Sequence, residues 1–150
     1  MTAPASWTLI EAVAERLRAI KIADGYFTDA GLDVITETVD HRDEPKAPQI
    51  TVFTDGAITI PYDGKKLTNV EVPVVVQVRI PLSSRRAQRM AHEAASDIRR
   101  ALDPKSGQIS AEEFKADLES IDIVPRPFGA NVIAVQALLR ATLQIRKPAQ

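Results

Sequence analysis

From Val70 to Leu82 the chain alternates so regularly that an extended strand is the one element that can use the pattern. Val70, Val72, Val74, Val76, Val78, Ile80 and Leu82 occupy one side; Glu71, Pro73, Val75, Gln77, Arg79 and Pro81 occupy the other. Strand side chains point to opposite faces in turn, so this spacing builds one continuous apolar face. A helix would scatter the same seven residues around its circumference. A second segment repeats the pattern: Ile133, Val135, Ala137, Leu139, Ala141, Leu143 and Ile145 alternate with Ala134, Gln136, Leu138, Arg140, Thr142 and Gln144. Two long half-buried strands of this kind are natural partners in one sheet.

The remaining segments supply the elements that cover and extend that sheet. Trp7 to Ile20 is expected to be a helix, with Trp7, Ile10, Val13, Ala14, Leu17 and Ile20 on one face and Glu11, Glu15 and Arg18 on the other. Ser6 or Thr8 is its expected cap. A connector over 21–31 carries the turn signals Asp24-Gly25 and Asp29-Ala30-Gly31, and a short strand is expected from Leu32 to Val39. The stretch from Asp40 to Pro48 is charged and Pro-bracketed, and 41–48 is expected to be a mobile loop. Gln49 to Thr54 is β-rich and runs into Asp55-Gly56, a hairpin signal, before a strand through Ile58, Ile60 and Tyr62 and a turn at 63–66. Pro73 and Pro81 cannot donate to a ladder, so an edge, a bulge or an end is expected where they sit.

Ser83 or Ser84 is the expected cap of a second helix from Ser84 to Leu102, whose inner face is Ala87, Met90, Ala91, Ala94, Ile98, Ala101 and Leu102. A short helix from Ser110 through Leu118, a strand from Ile121 to Val124 and a Pro125–Asn131 turn precede the last strand, with a frayed tail at 147–150. The expectation is one α+β domain over 1–150: a mainly antiparallel sheet, a meander plus a long C-terminal strand, with two main helices packed on it.

Composition restricts function. At 150 residues, one core can bury roughly 70% of the unfolded surface. Nineteen basic against twenty acidic residues give a formal charge of −1, which speaks against direct nucleic-acid binding. The absence of cysteine excludes disulfides, thiolate catalysis and Cys-ligated zinc. No secretory signal pattern and no membrane-length apolar run occur, so a cytosol-like compartment is expected. His41 and His92 lack the spacing of a metal site and read as solvated. Asp40, Asp43 and Glu44 lie in a wet loop, unlike the enclosed carboxylates of acid-base catalysis. There is no glycine-rich phosphate loop and no Gly-x-Ser-x-Gly elbow. No catalytic, cofactor-binding or metal-binding residue is therefore assigned, and no enzyme activity or cofactor is expected.

One charged cluster is unusual. Arg85, Arg86 and Arg89 crowd the start of the second helix, where the macrodipole disfavours cations, and Arg99 and Arg100 continue the polar face. Glu93 and Asp97 are spaced to neutralise part of it. A solvated face is one reading; an interface that meets acidic groups on another subunit is the other. A second candidate contact element is the charged loop with His41, Arg42, Asp43, Glu44 and Lys46.

Taken together, the chain resembles bacteriophage tail terminator or tail-completion proteins of the small α+β type. The likeness rests on Ile10-Glu-Ala-Val-Ala-Glu-Arg-Leu17, Gly25-Tyr26, Thr28-Asp-Ala-Gly31 and Ala47-Pro-Gln-Ile-Thr-Val-Phe53. The long strand, the arginine-rich helix, the Pro-Arg-Pro turn and the final alternating strand follow in the same order. The resemblance implies a structural virion protein, assembled in the host cytoplasm and placed at the tail-neck junction. It implies a homo-hexameric ring that caps the head-proximal end of the tail tube, stops tube polymerisation and offers the head-tail joining surface. Implied partners are further copies of the chain, the tail tube protein and the head-tail connector, with no membrane. Neck or connector proteins share much of this layout, and a small-ligand-binding regulatory module is the alternative from a different class.

Overall fold

The two alternating segments are neighbouring interior strands of one sheet that has five strands among the described residues, in the order β1-β2-β3-β5-β4. The computed structural model describes residues 4–56, 58, 67–103 and 114–146. Its strands are β1 (Val34–Ile35), β2 (Gln49–Thr54), β3 (Leu67–Pro81), β4 (Phe114–Pro125) and β5 (Val132–Arg146), and its helices are α1 (Ala5–Arg18) and α2 (Ala87–Ala101). β1 and β2 are parallel, while the β2–β3, β3–β5 and β4–β5 pairs are antiparallel. The fold is α+β.

β3 and β5 pair along their whole length, and the register sets apolar opposite apolar: Val72 faces Ala141, Val74 faces Leu139, Val76 faces Ala137 and Val78 faces Val135. All eight side chains are buried under the helices. From α1 come Leu9, Ile10, Val13, Ala14 and Leu17; from α2 come Ala87, Ala91, Ala94, Ile98 and Ala101. The alanines let α2 approach the sheet closely, so a large neighbour such as Leu139 has no room to relax into. Truncating Leu139 to alanine is expected to cost about 2–5 kcal/mol.

Several local expectations change. α1 starts at Ala5 with Pro4 as N-cap, and no side chain caps it; the Thr8 hydroxyl instead donates back to the Pro4 carbonyl at 3.2 Å. α2 starts at Ala87, not Ser84, because the Ser84 N–H closes a turn onto the Pro81 carbonyl and Arg86 takes a left-handed φ of 59°. Neither serine caps the helix. The expected Leu32–Val39 strand shrinks to Val34–Ile35, flanked by 3₁₀ turns at Ala30–Leu32 and Thr38–Asp40. Pro81 ends its strand, whereas Pro73 lies inside β3 opposite Arg140 of β5, one residue beyond the last β2 pair, Thr54 with Val74. The strand expected through Ile58, Ile60 and Tyr62 lies outside the described residues except Ile58, which is not in a strand. The 63–66 turn and the 147–150 tail also lie outside them.

The largest correction concerns β4. A helix through Leu118 was expected, yet the chain from Phe114 onward is strand; residues 110–113 lie outside the described residues. The sequence conceals this because the apolar positions change parity, from Ala116 and Leu118 to Ile121 and Ile123. A bulge between Leu118 and Ser120 absorbs the shift: Leu118 pairs with Leu139, and Ile121 and Ile123 pair with Ala137 and Val135. All four β4 residues therefore pack on the core side. The sheet is also no simple meander, since β5 inserts between β3 and β4.

Candidate functional site

Apart from Val39 and Ile58, the exposed large apolar side chains among the described residues fall into two groups, each held by identifiable chemistry. The first is the connector after α1. Ile22 is 58% exposed, Phe27 63% and Leu32 69%. Their outward pose follows from how the backbone beneath them is fastened. Asp97, only 1% exposed, sits on the apolar face of α2. Its Oδ1 accepts from the Phe27 N–H at 3.0 Å, and its Oδ2 accepts from the Thr28 N–H at 2.8 Å and the Thr28 hydroxyl at 2.7 Å. Arg100 donates to the Gly25 carbonyl at 2.8 Å and stacks 4.6 Å over the Tyr26 ring. Asp29 accepts from the Ile22 N–H at 2.8 Å. Gly31 closes the connector against α1, where a Cβ would lie 2.5 Å from the Leu17 carbonyl oxygen and 2.6 Å from that of Ile20. A segment that would otherwise be loose is thus a fixed ridge.

The second patch is the turn between β4 and β5. Phe128 is entirely exposed, at 108%, and its φ of 52° is left-handed. Arg126 and Gly129 beside it also have positive φ. Holding non-glycine residues there costs about 1–3 kcal/mol each, and such strain concentrates where a side chain is displayed for use. Leu82 and Val124 are exposed nearby. The Leu82 N–H bonds the Asn131 carbonyl at 3.0 Å, which joins the β3–α2 turn, with Arg85 and Arg86, to this end of the sheet.

The charged loop lies on the opposite face of the sheet from the helices. The Arg42 N–H donates to Gln49 Oε1 at 3.0 Å, Arg79 donates to the Asp43 carbonyl at 3.3 Å, and the Asn131 N–H donates to Glu44 Oε1 at 3.0 Å. His41 is half-buried, with Nδ1 at 2.9 Å from the Thr51 hydroxyl and Nε2 at 3.5 Å from Asp43, so it is not the solvated histidine expected. Arg42, Asp43, Glu44 and Lys46 are exposed and Pro45 is buried. Between this loop and the Phe128 turn is an open cleft of about 630 Å³, lined by Asp43, Glu44, Arg79 and residues 127–130.

The five arginines separate into two groups. Arg100 is engaged within its own chain, and Arg89 pairs with Glu93 at 3.1 Å. Arg85, Arg86 and Arg99 are exposed, and among the described residues no ion pair reaches them. Asp97 was expected on the polar face as a neutralising charge; it is instead the buried anchor of the connector. Its position between Ala94 and Ile98 on the apolar stripe is the signal that marks it. The ridge and the Phe128 display were missed, because local patterning does not report which apolar turn residues stay outside. His92 is exposed, and no group of three or more potential metal-ligating side chains occurs among the described residues. Among the described residues, no helix is long and apolar enough to cross a membrane. Comparison with protein-family models and with curated proteins finds no match for the chain.

Proposed function

We propose that this chain is a structural assembly protein of the tail-terminator type. Copies close into a ring on the head-proximal end of a phage tail tube, stop its polymerisation and present the surface that joins the head connector. One observation carries the reading beyond sequence resemblance. A single protomer displays two unlike apolar patches, the connector ridge next to β1 and the Phe128 turn between β4 and β5. Among the described residues β1 and β4 are the two edges of the sheet, four strand spacings apart, or about 19 Å. A cyclic ring is made of heterologous contacts, in which two different patches of each subunit meet its two neighbours. Exposed apolar patches of this kind mark surfaces that meet another protein.

The small-ligand reading draws on the cleft beside the Phe128 turn. Ligand sites are concave and mostly apolar with a few polar groups, whereas this cleft is lined by Asp43, Glu44, Arg79 and turn backbone. It supports that reading less well.

Deleting the gene from the genome that encodes it tests the proposal. Overlong tails without heads, restored to uniform length by supplying the protein, are the expected result. Tails of normal length that fail to join heads would favour the neck-connector role instead. Normal particles would end both.

A further inference from the structure

The two patches differ in surrounding charge as well as position. Between residues 21 and 40 the acids are Asp24, Asp29, Asp33, Glu37 and Asp40, against Lys21 and the Arg100 that lies over Gly25 and Tyr26. All five acids are exposed. At the Phe128 end, Arg85, Arg86 and Arg126 are exposed, and residues 79–92 contain no acid. Asp43, beside His41, and Glu44, which holds the Asn131 N–H, also face this turn across the cleft, where Arg79, Arg85, Arg86 and Arg126 outnumber them. Arg126 reaches across to Asn131 Oδ1 at 3.3 Å, which keeps its guanidinium at the turn. One patch is thus an apolar ridge with an acidic rim, and the other is an apolar knob with a basic rim. The two also sit toward opposite ends of α2: Arg86 and Asp97, the residues that border them, are eleven positions apart, about 16 Å along the axis.

We propose that the Phe128 turn of one copy, flanked by Arg85, Arg86 and Arg126, docks on the acidic Ile22–Phe27–Leu32 ridge of the next copy. The inference rests on the ring reading and names the surfaces that would close it. A second copy of the chain is the occupant because each patch supplies the apolar surface and the opposite charge that the other lacks. The knob and the ridge are different patches near opposite edges of the sheet, so a knob-to-ridge contact is heterologous. The contact therefore propagates from copy to copy until it closes. Both elements arrive preorganised, the knob by its left-handed turn and the ridge by Asp97 and Arg100, so little ordering cost opposes docking.

The chain contains no cysteine, which makes cross-linking direct. Phe27→Cys and Phe128→Cys are introduced singly and together, both at exposed positions, and treated with a short bis-maleimide after native mass spectrometry of each sample. The double variant is expected to give a ladder extending beyond dimers, while each single variant stays monomeric on a denaturing gel. Oligomers in the native spectrum without a ladder would overturn this interface and leave the ring reading standing. Dimers from either single variant would overturn it too, because they report a symmetric contact. Monomers alone at the highest soluble concentration would overturn the interface and the ring together. As a second readout, Arg85→Glu with Arg86→Glu raises the assembly midpoint about tenfold. Adding Asp24→Lys and Glu37→Lys to the same chain restores part of the loss, since the reversed arginine pair then meets two reversed acids while Arg126, Asp29, Asp33 and Asp40 keep their signs. No recovery counts against the pairing.

Discussion

The two ends of α2 use the same residue types for opposite purposes. Toward the C-terminal end, Asp97 is buried with three hydrogen-bond donors converging on it, and Arg100 lies against Gly25 and Tyr26. There Asp97 and Arg100 are spent inside the protomer, where they fix the connector, while Arg99 between them stays exposed. At the N-terminal end, Arg85 and Arg86 are exposed, no acid stands in the first turn and no side chain caps the helix. These cations sit where the helix dipole opposes them, so they weaken the isolated protomer slightly. The contrast teaches that a run of charge on a helix is not one feature. Charges satisfied within the chain belong to folding, and those left uncompensated at an unfavourable position belong to whatever they meet.

The largest effect should come from Asp97→Ala. It removes the acceptor for two backbone N–H groups and a buried hydroxyl, with an expected loss of about 3–5 kcal/mol. For a domain of this size that lowers the melting temperature by about 6–20 °C. Asp97→Asn, which keeps one accepting oxygen, should fall between. A change below about 1 kcal/mol in denaturant unfolding would break the distinction between the two ends. Gly31→Ala is next, at about 1–3 kcal/mol, because the new methyl would press on backbone carbonyls that cannot swing away. Thermal unfolding measures it, and an unchanged midpoint would mean that the connector is not seated against α1 as described.

Arg100→Ala should cost about 1 kcal/mol, from the stacking on Tyr26 and the bond to Gly25, with no change in self-association once stability is matched. Loss of assembly without loss of stability would move Arg100 to the other group. The smallest effect has the opposite sign. Arg85→Glu with Arg86→Glu places anions near the helix start and should stabilise the monomer by a few tenths to about 1 kcal/mol, while it weakens assembly. A destabilised monomer would show that these arginines serve the fold.

What the sequence disclosed follows from the range of the interactions involved. The β3–β5 pairing was legible because a period of two over thirteen residues admits one element, and the same holds for the inner faces of both helices. β4 was not legible, since its bulge after Leu118 changes the parity of the apolar positions and only pairing with β5 realigns them. Asp97 was misassigned because spacing along a helix cannot tell a solvated acid from one that meets the connector around residue 28, some seventy positions away. The arginine cluster was visible as a cluster, but its division depends on which guanidinium the fold brings to Tyr26. Phe128 gave no signal at all. An exposed aromatic in a strained turn is a property of the folded backbone, not of a pattern.

Native mass spectrometry over a concentration series, with negative-stain images of the largest species, tests the central claim most directly. The account predicts monomers that give way to closed rings of one size, six subunits if the terminator reading holds, and that revert to monomers when Phe128 is changed to aspartate. A chain that stays monomeric throughout, or a ring that assembles equally well with Phe128→Asp, would contradict it.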